Sequence, residues 1–159
     1  MAKIFCVANQ KGGVGKTTTT VNLSAGLAFV GQRVLMVDLD PQGNATMSSG
    51  VDKREMALSV YDVLLEEATI AEARIRSNWG TDGVRSKIPT YDVLGANRDL
   101  AGAEVELVSL ERRENRLKQA LAVVDAEYDF VLIDCPPSLS MLTLNGLCCA
   151  HGVIVPMQC

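Results

Sequence analysis

Three glycines and a lysine–threonine pair stand close together near the N-terminus, between a short apolar run and a helix-length segment. Glycines in such a loop permit left-handed backbone conformations, so several N–H groups can point at one phosphate group. The helix that follows adds the partial positive charge of its N-terminus. The spacing therefore predicts a phosphate-binding loop. Its residues are Lys11, Gly12, Gly13, Val14, Gly15, Lys16, Thr17 and Thr18.

The side chains at the end of this loop are those that nucleotide chemistry needs. Lys16 would reach the β- and γ-phosphates, and the Thr17 hydroxyl would ligate magnesium. Thr18 could add a hydroxyl contact to the α-phosphate. Lys11 places a second cation near the phosphates, which the fold alone does not require; the alternative is an exposed lysine at a strand end. We expect ATP and Mg²⁺ as the ligands of this loop.

Acidic residues end two further apolar runs and complete the predicted site. Asp38 and Asp134 each follow a strand-like run, and the carboxyl ends of parallel strands share the sheet edge where ligands bind. Asp134 fits the aspartate that holds magnesium through water, with Asp38 as a further candidate for the metal. Asp40 has the reach to orient or deprotonate an attacking water. For Asp38 and Asp40, capping of the turn before Pro41 is the alternative.

The elements that must position these residues alternate between strand-like runs and helix-length segments. Continuous apolar strands separated by helices predict an α/β fold of the P-loop NTPase type, a mostly parallel sheet with helices on both faces. Gly31 is predicted to end the first helix and Ser59 to cap the second. The predicted strands are 4–8, 34–37, 91–94, 130–133 and 152–155; the predicted helices are 16–30, 60–65, 100–124 with a break near 109–111, and 140–149; residues 78–83 are predicted to form a loop.

The length of 159 residues allows one compact domain with a core and is too short for two. We therefore expect residues 1–159 to form a single nucleotide-binding domain. The last predicted strand, 152–155, is apolar throughout and should be buried, yet no helix follows to cover it. This pattern predicts a chain truncated at its C-terminus.

Composition narrows the class of protein. The N-terminus lacks a signal peptide and no apolar stretch approaches the roughly 20 residues that span a bilayer, so we expect a cytoplasmic location. The net charge is −4, and the sequence shows no basic stripe of the kind found in nucleic-acid binders. One small basic cluster alternates with glutamates, which predicts a solvated helix face. The cluster comprises Arg112, Arg113, Arg116 and Lys118.

The five cysteines lack Cys-x-x-Cys spacing, and His151 is the single histidine of the sequence. This pattern argues against a zinc site. We predict buried, reduced thiols that pack as small apolar side chains.

Several motifs together resemble the ParA/MinD group of partition ATPases. Residues 9–18 resemble the deviant Walker A motif of that group. Residues 38–46, Asp-Leu-Asp-Pro-Gln-Gly-Asn-Ala-Thr, look like the second motif of its chromosome and plasmid partition branch, also called Soj. Residues 131–138 are similar to the Walker B region, and 153–159 match the strand that follows. The resemblance covers the whole chain and is loosest over 50–125.

The resemblance implies a mechanism. Two subunits would enclose two ATP molecules face to face, and Lys11 of each would reach the phosphates of the other. Asp40 would position the hydrolytic water, while Lys16, Thr17 and Asp134 carry charge and metal. A ParB-type centromere-binding partner would stimulate hydrolysis, which dissolves the dimer.

The same resemblance implies non-specific DNA binding at the bacterial nucleoid. Family members continue well beyond this length, and that further part supplies the adenine contacts and the basic DNA-binding surface. No membrane partner is expected.

Three other interpretations stay open. Cobyrinic acid a,c-diamide synthases and dethiobiotin synthetases look similar at the phosphate loop and use ATP to activate a carboxylate. A MinD-like membrane-associated positioning ATPase would carry an amphipathic C-terminal helix. A non-catalytic switch would use ATP only to hold a dimer. The run 38–44 favours partition over the first two.

Overall fold

The computed structural model describes residues 1–9, 15–78 and 89–157. Within them, six strands form one sheet in the order β3-β4-β2-β5-β1-β6. The strands are β1 Lys3–Val7, β2 Val34–Asp38, β3 Ile75–Arg76, β4 Asp92–Leu94, β5 Phe130–Asp134 and β6 Gly152–Ile154. The α-helices are α1 Lys16–Phe29, α2 Asn44–Ser48, α3 Val60–Leu64, α4 Ile70–Ala73, α5 Leu100–Val108, α6 Arg116–Val124 and α7 Met141–Cys149, with 3₁₀ turns at Arg113–Asn115 and Asp125–Glu127.

All strand pairs of the sheet are parallel except β3 with β4. The central strands β2 and β5 are almost entirely buried, as their unbroken apolar sequences require. They pair in register, so that Asp38 lies opposite Asp134 at the carboxyl edge. This sheet confirms the predicted α/β fold and places two of the predicted acidic residues side by side.

Alternate residues of each strand face opposite sides of the sheet, and both sides are covered by helices. In β2, Leu35 and Val37 join the core under α3, α5, α6 and α7. Val34 and Met36 join the smaller core under α1 and α2. The sheet is therefore the middle layer of three, and its carboxyl edge is left for the loops that hold the site.

Most predicted element boundaries agree with the structure. Gly31 follows α1 with a φ of +90°, and Ser59 caps α3 by accepting a hydrogen bond from the Tyr61 N–H. The predicted break within 100–124 separates α5 from α6. The predicted loop 78–83 lies outside the described residues, apart from Asn78. The sequence did not predict α2, α4 or β3, because these short segments show neither an unbroken apolar run nor a hydrophobic period.

The prediction of a solvated basic helix face is wrong for Arg116. This side chain is 8% exposed, and its Nε and Nη2 donate to the Glu111 carbonyl at 3.0 and 2.9 Å. Its Nη1 lies 3.4 Å from Glu66 Oε1. The guanidinium thus donates hydrogen bonds to a main-chain carbonyl in the turn between α5 and α6. The side chains of Arg112, Arg113 and Lys118 are exposed as predicted.

Two further predictions need correction. Cys6, Cys135 and Cys149 are buried free thiols as expected, but Cys148 is exposed because it lies on the outer face of α7. Cys159 lies outside the described residues. The expected burial of the last strand is not met either, since Val153 in β6 is 49% exposed. None of the helices in the described ranges is long and apolar enough to cross a lipid bilayer.

Candidate functional site

The start of α1 faces the carboxyl edge of the sheet. Gly15 precedes the helix with a φ of +77° and offers no side-chain cap, so this left-handed position suits glycine. Lys16 and Thr17 form the first helical residues. The remaining residues of the predicted phosphate loop lie outside the described ranges, and their roles stay predictions. They are Lys11, Gly12, Gly13 and Val14.

Asp134, at the end of β5, is the centre of the candidate site. Lys16 Nζ donates to Asp134 Oδ1 at 2.8 Å, and Thr17 Oγ1 donates to Oδ2 at 3.2 Å. Thr20 Oγ1 lies 3.4 Å from Oδ1 and 3.0 Å from the Lys16 carbonyl oxygen. The structure thus brings three predicted residues together and adds Thr20. Thr20 was not predicted, although its spacing of four residues from Lys16, which puts both side chains on one helix face, is a signal that could have found it.

Asp40 approaches the same lysine from the β2 side. Lys16 Nζ lies 3.9 Å from Asp40 Oδ2, and the two side chains are 10% and 13% exposed. Asp40 Oδ1 accepts a hydrogen bond from the Gln42 N–H at 3.0 Å. One oxygen of Asp40 is therefore held by its own turn, and the other lies on the side of the lysine.

Asp38 is fully buried and is bonded to its own loop. Its Oδ1 accepts from the Asp40 N–H at 3.0 Å. Its Oδ2 accepts from the Thr46 N–H at 3.0 Å and from Thr46 Oγ1 at 2.7 Å. Thr46 Oγ1 in turn accepts from the Ala96 N–H at 3.0 Å. Asp38 thereby fixes the turn that carries Asp40, and its assignment to the metal stays a prediction.

Burial sets the electrostatics of this edge. Desolvation raises the pKa of Asp38 to about 7, with a further contribution from the charge of Asp134 and an opposing one from the Thr46 hydrogen bonds. Desolvation also raises the pKa of Asp134, which the Lys16 ammonium opposes. Buried carboxylates of this kind gain from a nearby cation. The Thr17 hydroxyl and the Asp134 carboxylate are oxygen ligands of the type that Mg²⁺ prefers, so the residues present fit a magnesium–nucleotide pair.

Thr18 does not take part in this cluster. Its side chain is exposed in the first turn of α1 and makes no side-chain hydrogen bond to the described part of the chain. Its predicted contact with the α-phosphate stays a prediction.

Glu104 is a supporting residue that the sequence did not reveal. From α5, its Oε2 and Oε1 accept hydrogen bonds from the N–H groups of Met141 and Leu142 at 2.9 and 3.2 Å. These are the first residues of α7, a few residues after Asp134. Glu104 therefore fixes the start of α7 from another helix, a contact that no local pattern predicts.

The sequence of this chain is similar to those of known proteins, including partition proteins. A family described as AAA domain matches residues 2–159. The chain is 48% identical over 159 residues to the sporulation initiation inhibitor protein Soj of Bacillus subtilis, a match that covers 100% of this chain and 59% of Soj.

Two crystal structures show the same fold. One, described as cobyrinic acid a,c-diamide synthase from Mycobacterium smegmatis with bound ADP and magnesium, has a TM-score of 0.91 at 50% identity and covers 100% of this chain and 61% of that one. The other, a plasmid partition protein from Borrelia burgdorferi, has a TM-score of 0.79 at 27% identity and covers 99% and 66%.

The chain thus spans less than two thirds of the length of these proteins. The matches confirm the resemblance predicted from the motifs at 9–18, 38–46 and 131–138. The chain belongs to the AAA domain family, and within it the chain is similar to the Soj and ParA partition proteins.

Proposed function

We propose that this chain binds ATP with Mg²⁺ and hydrolyses ATP, as the nucleotide-binding domain of a Soj/ParA-like partition protein. The observation that carries the proposal is the bonded cluster of Lys16, Thr17 and Asp134 with Asp40 beside it. The ADP and magnesium bound in the structurally similar Mycobacterium smegmatis protein support the choice of ligands. We further propose that residues 1–159 form one domain.

The roles follow from the contacts. Lys16 would bind the β- and γ-phosphates, and Thr17 and Asp134 would hold Mg²⁺. The metal supplies positive charge that neutralises the phosphate oxygens. Asp40 orients the attacking water and accepts its proton, with its Oδ1 held by Gln42. Asp38 keeps that turn in place.

We propose that ATP also controls assembly. Two subunits enclose two ATP molecules, with Lys11 of each on the phosphates of the other. A ParB-type centromere-binding protein stimulates hydrolysis and so separates the subunits. Non-specific DNA binding belongs to sequence beyond residue 159, in the part of the relatives' length that this chain does not span. The relatives named Soj and chromosome partitioning protein ParA support a role in partition. We propose that the protein acts at the nucleoid in the bacterial cytoplasm.

Light scattering tests the proposal directly. The Asp40→Ala variant, which cannot complete hydrolysis, is measured with ATP and with ADP. We expect a dimer with ATP and a monomer with ADP. A monomer in both would overturn the dimer. Release of phosphate from ATP by the unmodified chain, absent in Asp40→Ala, tests hydrolysis separately.

A second candidate function is an ATP-dependent synthetase that activates a carboxylate. It is favoured by the 50% identity to the structure described as cobyrinic acid a,c-diamide synthase. In that case ATP turnover would require an added small carboxylic acid. Turnover without one, together with ATP-dependent dimers, would reject the synthetase.

A further inference from the structure

A cleft of about 510 Å³ opens beside the turn that carries Asp40. Gln42 lines it from the loop after β2, and Asn97 and Arg98 line it from the loop after β4. Lys53 and Arg54 complete its wall. Its volume falls within the range of small-molecule sites, roughly 300–1,000 Å³. The cleft thus has the size of a ligand site and touches the proposed catalytic turn, but it contains none of the residues assigned above to the phosphates.

The lining carries three cations and one acid, Asp99, although the whole chain has a net charge of −4. Arg98 is exposed and has no ion-pair or side-chain hydrogen-bond partner among the described residues. Arg54 is held by Asp52 at 3.1 Å and is 78% exposed. The free guanidinium of Arg98 is therefore the group most available to an anion.

Lys53 connects the cleft to Asp40. Its Nζ donates to the Gln42 carbonyl oxygen, while the Gln42 N–H donates to Asp40 Oδ1 at 3.0 Å. The Gly43 N–H donates to the Asp40 carbonyl oxygen at 2.9 Å. A Cβ added to Gly43 would meet Lys53 Cδ at 2.7 Å. The lysine stem thus packs on the turn, and its ammonium holds the Gln42–Gly43 peptide group, whose N–H donates to the Asp40 carbonyl oxygen. The adjacent Pro41–Gln42 peptide group donates to the Asp40 carboxylate, so Lys53 holds the turn one peptide group away from that contact.

We propose that this cleft binds a small oxyanion, a molecule bearing a carboxylate or phosphate group, through Lys53 and Arg98. An ionised acceptor makes a stronger hydrogen bond with an ammonium than a neutral carbonyl does. The bound oxyanion therefore draws Lys53 away from Gln42 and loosens the turn. The binding site stands on the cleft alone, whereas its effect on hydrolysis rests on the proposed function.

Amide NMR of this chain tests the binding. Non-hydrolysable ATP analogue and Mg²⁺ are added first to fill the phosphate loop. Inorganic phosphate and succinate are then titrated separately, as probes for the two oxyanion types. We expect saturable shifts of the Gln42, Gly43 and Arg98 amides that disappear in the double variant Lys53→Ala/Arg98→Ala.

Arg76→Ala is the matched control, because Arg76 is an exposed arginine bound to Asp92 on a different part of the sheet. It should keep the response. A response to phosphate alone, to succinate alone or to both assigns the ligand chemistry. No saturable shift with either probe, or equal shifts in the double variant, would overturn the site.

ATP turnover by the same samples tests the effect on Asp40. The probe that binds should lower turnover about two- to tenfold, the equivalent of one hydrogen bond. Arg98→Ala should keep the basal rate and lose the response. Binding without any change in turnover would overturn the control of Asp40. A chain that binds the oxyanion but never hydrolyses ATP would contradict the proposed function and leave the site intact.

Discussion

Asp38 and Asp134 end neighbouring strands in register and are both fully buried, yet they differ in what they bind. Asp134 accepts hydrogen bonds from the side chains of Lys16 and Thr17. Asp38 accepts two of its three from backbone N–H groups of its own loop. Side chains can change partners by rotation, whereas backbone donors can leave only if the loop refolds. Asp134 is therefore suited to exchange partners with a ligand, and Asp38 to hold structure.

The largest expected effect comes from Lys16→Ala. This change removes the ammonium from a buried carboxylate, and loss of one partner from such a pair costs about 3–5 kcal/mol. We expect nucleotide binding to be lost and the free energy of unfolding to fall. Isothermal titration with ATP and urea denaturation measure the two effects.

Lys11→Ala is the control for that change. Because its proposed task lies in the other subunit, this variant should keep much of the nucleotide binding and lose ATP-dependent dimerisation. A Lys11→Ala chain that dimerised normally with ATP would contradict the face-to-face dimer.

Asp38→Asn tests the other half of the comparison. The amide N–H₂ of asparagine would replace one carboxylate oxygen of Asp38 and would face an N–H donor of the loop instead of accepting from it. We therefore expect a loss of about 1–3 kcal/mol in the free energy of unfolding. Since the folded pKa of Asp38 is raised to about 7, the folded state binds this proton more tightly than the unfolded state. The stability that the proton contributes is therefore lost as pH rises through about 7.

Urea denaturation at about pH 5 and about pH 8 measures that slope. The unmodified protein should lose more stability over this interval than Asp38→Asn, in which this group cannot titrate. Equal losses in both proteins would show that the titration belongs to another group.

Glu104→Ala extends the comparison of Asp38 and Asp134 to a third carboxylate. Like Asp38, Glu104 accepts hydrogen bonds from backbone N–H groups, here at the start of α7. Loss of a helix cap costs about 1 kcal/mol, so we expect a lower midpoint of thermal unfolding with little change in nucleotide affinity. A large loss of affinity at unchanged stability would place Glu104 in the binding site instead. Ser140→Ala, which removes the cap that α7 receives from its own chain, is the matched variant.

The smallest expected effect is a difference in thiol reactivity between two cysteines outside the candidate site. Cys148 and Cys149 are neighbours, but Cys148 is exposed, while burial raises the pKa of Cys149 to about 12. Alkylation of the native protein at about pH 8 should modify Cys148 and spare Cys149, because the thiolate is the reactive form. Peptide mass spectrometry reads out the rates, and denatured protein is the control. Equal native rates would mean that α7 opens readily.

The parts of the site predicted from sequence are those encoded within a few residues of each other. Lys16 and Thr17 follow the glycines directly, Asp134 follows an unbroken apolar run, and Asp40 lies two residues past Asp38, which follows another. The bond of Asp38 to the Asp40 N–H fits the turn-capping alternative given for it. Its bonds to Thr46 could not be predicted, because Thr46 reaches it only when the loop folds back into the five-residue helix α2. In the same way, the sequence shows a charged Arg116 but not the carbonyl of Glu111 that it would bond in the fold.

The fold was easier to predict from the sequence than these contacts, since buried strands appear in the sequence as continuous apolar runs. Strand order was not predicted, because no local pattern says that β5 separates β1 from β2. Between 44 and 76 the sequence predicted α3 from its cap at Ser59. It missed α2, α4 and β3, although a capping box at Thr69 fixes α4, because these elements are too brief for a hydrophobic period.

The place of β5 in the sheet has a consequence for biosynthesis. Lys3 pairs opposite Phe130, and Val7 opposite Asp134, so the first strand made by the ribosome has no β5 neighbour until most of the chain has emerged. Non-local parallel pairing of this kind is slow and leaves unpaired edges exposed meanwhile. The nascent chain should therefore depend on chaperones until residue 134 is free, and the cluster around Asp134 should be the last part of the candidate site to form.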